Sequence, residues 1–311
     1  MSLIQSAIIF NDKTKNFIFR KSLKSDKMKI LLLGGTKDSI NIIEFIKKNY
    51  DAYILTTTTT EYGAKLANEG GSDATIARPI PKDELIEIIK NENIDLLIDA
   101  THPFAKHITQ TSTSIAKELK LHYMRFERPT TNLENIDTSN VHYVNSFEDA
   151  GKLIAKEYSK GNVLHFAGAN TMEDILKNVS TDRFYPRILK VEKSIEKCKQ
   201  LNVNPNHIIP MNGAASTQEN IDLIEKYDAK VMITKESGEI GGVINKIEAA
   251  NAKDTAIVMI QRPQIEGLNK NDIVSNLDEL DAKLKNFFQK PRKESALLLE
   301  YALSMTDDNY S

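Results

Sequence analysis

Short apolar runs alternate with amphipathic segments along most of this 311-residue chain, and this alternation constrains its fold more than any other feature. In the first half, the runs predicted to be strands are Lys29–Leu33, Ala52–Thr56, Asp73–Ala77, Ile94–Asp99 and Leu121–Phe126. The segments predicted to be helices are Ser39–Lys48, Tyr62–Glu69, Lys82–Asn91 and Pro103–Lys120. Strand–helix alternation of this kind is typical of a parallel sheet that helices cover on both faces.

The same pattern returns after a Thr-, Asn- and Asp-rich interruption at 129–140. The predicted strands beyond it are Val163–Phe166, Arg187–Val191, His207–Met211, Lys230–Thr234 and Thr255–Gln261. The predicted helices are Met172–Asn178, Thr217–Tyr227 and Gly242–Ala252. Because the chain is long enough for two domains of ordinary size, we predict two α/β domains that face each other across an active-site cleft.

The predicted organisation is an N-terminal extension at 1–27, a first domain at 28–130, a linker at 131–142, a second domain at 143–268 and a C-terminal helical tail at 269–311. In the extension, Ala7–Phe10 and Phe17–Phe19 could pair as a β-hairpin. Alternatively, the protein starts at Met28 and the extension comes from a misassigned gene start. In the tail, Asp278–Phe288 and Glu294–Met305 are predicted to be helices.

Composition excludes several classes of function. A hydrophobic content of 41%, a charged content of 27% and a net charge of −2 indicate a globular protein that does not bind nucleic acid. No apolar run is long enough to span a bilayer, and without an export signal we expect a cytoplasmic monomer or small homo-oligomer. The single cysteine, Cys198, rules out an intramolecular disulfide, and we expect it on an exposed helix at Lys193–Lys199.

A glycine turn, Gly34-Gly35-Thr36, separates the first strand from its helix, where backbone N–H groups can hold a phosphate. The turn lacks the third glycine of the GxGxxG motif, and no acidic residue follows about 20 positions later. That position holds a threonine run that includes Thr56 and Thr57. These hydroxyls could bind phosphate or ribose, which favours NADP, or the run could be a strand followed by a helix cap. A tight turn that binds no ligand is the alternative for the glycines.

His102 stands between the end of a strand at Asp99 and the helix-starting Pro103. At that place its imidazole could donate a proton or bind a carboxylate near neutral pH. A capping or packing histidine is the alternative. A metal site is not expected, because His107 is five residues away and the sequence contains no HExxH pattern.

The segment Thr234–Lys246 combines two lysines, a hydroxyl and three glycines at the end of a strand and the start of a helix. Its candidate ligand-binding residues are Lys235, Ser237, Gly238, Gly241, Gly242 and Lys246. They predict a binding site for a phosphate or a carboxylate. Further cations at predicted strand ends suit a substrate with many carboxylates, since arginine binds these in bidentate fashion. They are Arg125, Arg128, Arg187 and Arg262.

Taken in order, these motifs resemble those of the precorrin-6A reductases, enzymes of corrin-ring (vitamin B12) synthesis. The resemblance runs from about Met28 to Pro263 and rests on Leu31–Thr36 (LLLGGT), Thr60–Ala64 (TEYGA), Asp99–Ala105 (DATHPFA), Arg125–Pro129 (RFERP), Thr234–Gly238 (TKESG), Gly241–Gly242, Lys246–Ala250 (KIEAA) and Arg262–Pro263. The loop Met211–Ser216 departs from the family, because it reads Gly-Ala-Ala where Gly-Pro-Phe is usual.

The resemblance implies two Rossmann-like domains and NADPH- or NADH-dependent reduction of one ring double bond of precorrin-6A or its cobalt form, the cobalt form being slightly favoured. It places the cofactor at Gly34, Gly35, Thr36, Thr56 and Thr57. It assigns cofactor phosphate or a substrate carboxylate to the 235–242 loop. It further implies that His102 is the proton donor and that Arg125, Arg128, Arg187 and Lys246 orient the tetrapyrrole-derived macrocycle.

Two other readings stay open. A different nicotinamide-dependent reductase or an epimerase would need a Tyr-x-x-x-Lys pair, which we do not find at a strand end. A non-catalytic protein that binds anionic metabolites would keep the cations and would need no cofactor loop. Binding of NAD(P)H distinguishes that protein from an enzyme.

Overall fold

The computed structural model of the protein describes residues 6–10, 17–21, 27–211 and 213–289. Within them the chain forms two compact units. The first comprises 6–100, 115–125 and 277–289, and the second comprises 101–114 and 126–276. The domain and linker boundaries given above stay predictions.

The first part of the chain alternates strands and helices as the sequence predicts. Its elements are β1 (Ser6–Phe10), β2 (Phe17–Lys21), β3 (Met28–Leu33), α1 (Lys37–Asn49), β4 (Ala52–Thr58), α2 (Glu61–Glu69), β5 (Ala74–Ala77), α3 (Lys82–Asn91), β6 (Leu96–Asp99), α4 (Lys106–Leu119) and β7 (His122–Phe126). Strands β1 and β2 pair antiparallel, which is the hairpin predicted for the extension.

The remaining elements continue the alternation. They are β8 (Val141–Val144), α5 (Phe147–Glu157), β9 (Asn162–His165), α6 (Met172–Leu176), β10 (Phe184–Ile188), α7 (Glu192–Gln200), β11 (Ile209–Pro210), α8 (Thr217–Lys226), β12 (Ala229–Lys235), α9 (Val243–Ala252), β13 (Ala256–Ile260), β14 (Ile273–Val274) and α10 (Leu277–Phe288). The second predicted tail helix, Glu294–Met305, lies outside the described residues. No helix in the described part of the chain has the length and hydropathy to cross a membrane.

The sheet of the first unit has the strand order β14-β7-β6-β3-β4-β5, and the five strands β3 to β7 are parallel. From β3 the chain moves outward through β4 and β5, then crosses back to β6. The point of reversal lies between β3 and β6. In open α/β sheets ligands bind at this switch point, outside the carboxyl ends of the strands.

The second sheet has the order β11-β10-β9-β12-β13-β8, again parallel throughout. Its reversal lies between β9 and β12, so each unit has a switch point of its own. Apolar cores cover both faces: Phe184 and Val231 belong to one, and Met232 and Ile247 belong to the other. This two-sided burial explains why the central strands read as continuous apolar runs. The predicted fold class, two parallel sheets flanked by helices, is confirmed.

Some sequence predictions need correction. The end of the predicted linker (131–142) and the start of the predicted second domain together form a strand, β8. Its short sequence, Val-His-Tyr-Val, has too few apolar residues to be recognised as a strand. The strand predicted at Arg187–Val191 lies earlier, at β10, and contains Pro186, a residue type that is rare inside central strands; Val191 instead caps α7. Cys198 does lie on a helix, but it faces the core and is fully buried rather than exposed. Burial raises the pKa of its thiol.

Candidate functional site

The glycine turn after β3 lies at the first switch point and brings its backbone close to neighbouring side chains. The amide of Gly34 donates to the carbonyl of Thr57 (2.8 Å), and a Cβ atom on Gly34 would lie 3.1 Å from Ser39 Oγ. Gly35 has a φ of +97°, and a Cβ atom there would meet no other atom within 4 Å. The turn therefore needs both glycines and leaves open space above Gly35, where a ligand can approach the backbone.

Thr36 ties this turn to the neighbouring strand. Its hydroxyl donates to the carbonyl of Ala100 (2.8 Å), just beyond β6, and accepts from the amide of Ser39 (3.1 Å) as the N-cap of α1. The two bonds use both the donor and a lone pair of the hydroxyl, so Thr36 positions the turn. A phosphate at this point would meet backbone N–H groups rather than the Thr36 side chain.

The threonine run forms the end of a strand and the N-cap of the next helix, which is the second of the two possibilities considered for it. Thr56 and Thr57 lie in β4, and Thr60 is the N-cap of α2, accepting from the amide of Gly63 (3.1 Å). The fully buried Thr56 hydroxyl lies 2.7 Å from that of Ser72. A contact of Thr56 or Thr57 with phosphate or ribose stays a prediction.

Arg125 forms a buried ion pair with Asp99 in the first unit. Its guanidinium Nη1 lies 2.6 Å from Asp99 Oδ1, and the two side chains are 1% and 0% exposed. The hydroxyl of Tyr123 donates to the other carboxylate oxygen of Asp99 (3.3 Å). The substrate contact implied for Arg125 stays a prediction, but this geometry favours a structural role, because a buried pair is costly to separate.

Three cations gather at the carboxyl edge of the second sheet: Lys235 ends β12, Arg187 lies near the end of β10, which is separated from β12 by β9, and Lys246 lies on α9. Lys246 is 3% exposed, and its ammonium donates to the carbonyl of Gly241 (2.8 Å). The guanidinium of Arg187 lies 4.7 Å from the Phe166 ring centroid, and Lys235 Nζ lies 5.4 Å from that of Phe104. Among the described residues, no carboxylate forms an ion pair with any of the three, which we term the cation cluster.

The pKa values of all three clustered cations are lower than usual. Burial lowers the pKa of Lys246 to about 7, and repulsion from Arg187 and Lys235 contributes. Burial likewise lowers the pKa of Lys235 to about 8 and shifts that of Arg187 downward, with Glu219 opposing the latter shift. Buried positive charges with so little negative charge nearby destabilise the folded protein unless a bound anion neutralises them. The arrangement is therefore suited to binding a carboxylate or a phosphate.

The glycines of the 235–242 loop have packing reasons. A Cβ atom on Gly241 would lie 1.8 Å from the Oγ atom of the buried Ser237. Gly238 has a φ of +76°, and a Cβ atom added there would lie 3.0 Å from the Arg128 Cδ atom. Gly242, at φ +66°, is the N-cap of α9 and provides no side-chain hydrogen bond to its first turn. The loop thus brings an uncapped helix start next to the cation cluster.

Sequence reasoning missed the role of Glu236 in bracing this loop. Its carboxylate accepts from the amide and hydroxyl of Thr131 and from the amide of Gly238, at 3.0 to 3.1 Å, and pairs with Arg262. Arg262 also donates to the carbonyls of Arg128 (2.6 Å) and Pro129 (3.0 Å). Arg262 is therefore a brace in this structure rather than a free cation at a strand end. The signal in the sequence was an acidic residue, Glu236, directly after an apolar strand, because a carboxylate at such a place needs hydrogen-bond or cationic partners.

Two histidines, His102 and His165, lie close to residues of the cation cluster. The half-buried His102 accepts a hydrogen bond at Nδ1 from the amide of Phe104 (3.1 Å), so in its neutral form the ring proton is on Nε2. His165, at the end of β9, is fully buried, with Nε2 lying 3.1 Å from the Thr171 hydroxyl. Burial, with repulsion from Lys235, lowers the pKa of His165 to about 3, so it stays neutral.

A separate cavity of about 780 Å³ opens in the second unit, beyond the ends of β12 and β13. Its lining includes Tyr143, Gln261 and the Glu236–Arg262 pair, and none of the three clustered cations. The cavity therefore lies beside Glu236 and Arg262, and the cation cluster does not line it.

Comparison with known proteins identifies the family. A family model described as precorrin-6x reductase CbiJ/CobK matches residues 29–285. The chain belongs to this family. As a precorrin-6x reductase it is an oxidoreductase of cobalamin biosynthesis that acts on a CH–CH bond. The predicted resemblance is confirmed, and it extends further than expected, because the match passes Lys270 and includes most of α10.

Individual relatives agree. A cobalt-precorrin-6A reductase from Methanocaldococcus jannaschii is 38% identical over 259 residues, which cover 83% of this chain and 100% of that protein. One from Methanothermobacter thermautotrophicus is 35% identical over 256 residues, covering 82% of this chain and 83% of that protein. A solved structure of CobK precorrin-6A reductase has the same fold, with a TM-score of 0.64 at 17% identity, covering 85% of this chain and 99% of that one.

Proposed function

We propose that this protein reduces one ring double bond of cobalt-precorrin-6A, giving the 6B product, with a reduced nicotinamide dinucleotide as the hydride donor. The observation that carries the proposal, beyond family membership, is the cation cluster of Arg187, Lys235 and Lys246. A macrocycle that bears acetate and propionate groups supplies the carboxylates that these three charges lack. The same cluster would serve little purpose in a protein whose ligand is neutral.

The cobalt form is the favoured substrate because of the relatives' names. The relatives that are 29% to 38% identical are named cobalt-precorrin-6A reductases, whereas a relative from Sinorhizobium named precorrin-6A reductase is 22% identical. Metal-free precorrin-6A is the second candidate. Both carry the same ring carboxylates, so the cation cluster does not distinguish them.

The turn Gly34-Gly35-Thr36 fits the phosphates of a nicotinamide dinucleotide. It has an open cradle above Gly35, a helix N-terminus behind it, and a fixed position at the switch point through Thr36 and Ala100. The dinucleotide supplies hydride when bound. The backbone of the turn orients it, and the end of β4 reads Thr56-Thr57-Thr58 with no acidic residue, which permits a ribose phosphate and favours NADPH over NADH.

Reduction also needs a proton on the carbon next to the one that receives hydride. We assign this proton to the imidazolium form of His102, which is left as a neutral ring when the proton is transferred; in that neutral ring Nδ1 accepts from the Phe104 amide. The expected consequence is that His102→Ala lowers kcat while the KM for dinucleotide stays unchanged. Full activity of that variant would transfer the role to water or another group.

The deciding experiment is anaerobic oxidation of NADPH, and separately NADH, by the purified protein with cobalt-precorrin-6A, with precorrin-6A, and without macrocycle. Oxidation that depends on macrocycle establishes the reductase and identifies the cofactor and the metal form together. If the folded protein binds the macrocycle and oxidises neither dinucleotide, the anion-binding alternative holds instead.

A further inference from the structure

Three exposed apolar side chains lie together at the carboxyl edge of the second sheet. Only five large apolar residues in the described part of the chain are exposed, and three of them fall within seven positions. They are Leu189 (57% exposed), Val191 (49%) and Ile195 (40%). We term them the apolar lip. Scattered single exposures are ordinary, but a local group of this kind indicates a contact surface.

Local structure explains why the lip faces outward. The amide of Val191 donates to the carbonyl of Leu189 (2.8 Å), which turns the chain sharply after β10. Val191 then caps α7, and the amide of Ile195 donates back to its carbonyl (3.3 Å). Residues four apart share a side of a helix, so the N-cap residue Val191 and Ile195 lie together at the start of α7, while Cys198, one turn further along the same side, is buried in the core.

The lip adjoins the cation cluster through the chain itself. Arg187 precedes Leu189 by two residues at the end of β10, whereas the exposed charges between and beside Val191 and Ile195 are of both signs: Lys193, Glu192 and Glu196. The positive charge therefore lies at the Arg187 end, and an apolar surface with cations at one end is complementary to one type of ligand. That ligand has an apolar body and anionic groups at its periphery.

We propose that the apolar lip contacts the hydrocarbon face of the tetrapyrrole-derived macrocycle while the cation cluster holds its carboxylates. The inference rests on the proposed function and extends it, because it assigns substrate selection to a segment outside the charged site. The lip would favour a large ring with carboxylates over a small polycarboxylate of equal charge, since burial of apolar area strengthens binding.

The test is a triple variant, Leu189→Ser with Val191→Ser and Ile195→Ser, compared with the wild type and with Tyr62→Ser. Tyr62 is 71% exposed on α2 in the first unit and serves as the matched control. Because all four side chains are exposed, we expect melting temperatures close to wild type. The KM for cobalt-precorrin-6A should rise about ten-fold or more in the triple variant, and the KM for dinucleotide should not change. A macrocycle KM within about two-fold of wild type would overturn the proposal and leave the lip as a surface for a protein partner.

A second measurement separates this inference from the proposed reaction. Calorimetric titration with cobyrinic acid, a stable corrin with carboxylate side chains, is carried out on the wild type and both variants. Weaker binding by the triple variant alone supports the lip even if the wild type turns nothing over, in which case only the proposed reaction fails. Equal binding by all three proteins, or no binding by the wild type, refutes the lip.

Discussion

Lys246 shows what a single buried charge can reveal about a site. Its ammonium has one hydrogen bond to protein, from Nζ to the Gly241 carbonyl, and lies near two further cations. A protein that kept this arrangement only for stability would do better with an apolar side chain. Binding of an anion, as proposed above, would compensate the charge.

Stability should report this cost directly. The Lys246 pKa is about 7 when folded and near 10.5 when unfolded, so between these values the unfolded chain binds more protons and stability rises with pH. Below about pH 7 the full cost of the charge is present. We expect Lys246→Met to raise the melting temperature relative to wild type most at about pH 6, with the gain shrinking by about pH 9.

The control is Lys160→Met, which removes an exposed charge from the same unit. Its difference from wild type should be small and nearly independent of pH. A Lys246→Met variant that melts below the wild type at about pH 6 would show that the ammonium stabilises the free protein. The cation cluster would then lose its support as an anion site.

Sequence position predicted two members of the cluster but not the third. Lys235 and Lys246 follow from the end of one predicted strand and the helix after it, whereas the strand predicted at Arg187–Val191 begins at Arg187, so only the observed β10 brings Arg187 to the carboxyl edge. Arg125 lies near the end of a predicted strand, and its partner Asp99, 26 residues earlier, belongs to a strand whose neighbour is set by tertiary pairing. Sequence position identifies cations at the edge, whereas the carboxylates that neutralise some of them depend on strand order.

At the scale of elements, the loop between β12 and α9 is held in place by close packing, and the same residues position Lys246. Gly241 approaches Ser237 too closely for any side chain, and its carbonyl accepts from Lys246. Packing therefore fixes the loop, and the loop fixes the lysine. The glycine pattern correctly indicated a special loop, but it could not show that the glycines serve packing first.

This coupling predicts the effect of Gly241→Ala. The added methyl would displace Ser237 or the Gly241 backbone, so we expect a loss of about 1–3 kcal/mol in unfolding free energy and a raised KM for the macrocycle. Combining it with Ser237→Gly removes the clashing Oγ and Cβ atoms and should recover most of both losses. Urea unfolding and steady-state kinetics on the two proteins measure this. Failure of the double variant to recover would show that Gly241 acts otherwise than through Ser237.

At the scale of the whole molecule, the first unit is completed by a segment from the far end of the chain. Leu280, Leu284 and Phe287 of α10 are buried, and the Tyr50 hydroxyl donates to the Asp281 carboxylate (2.5 Å). The sequence predicts α10 from its periodicity, but a helix that follows the second set of strands gives no sign of returning to the first unit. The family match through residue 285 agrees with α10 being part of the conserved fold.

Removal of α10 should therefore damage the first unit rather than the second. Truncation after Asn276 deletes three buried apolar side chains, and we expect a loss on the order of 5 kcal/mol. Hydrogen exchange should accelerate at amides of β3 and β4, with those of β12 and β13 nearly unchanged, and dinucleotide binding should weaken before binding of cobyrinic acid does. Truncation after Gln289, which keeps α10, is the control and should exchange like the full chain. Equal acceleration in both units would mean that α10 stabilises the molecule as one cooperative structure, contrary to its assignment to the first unit.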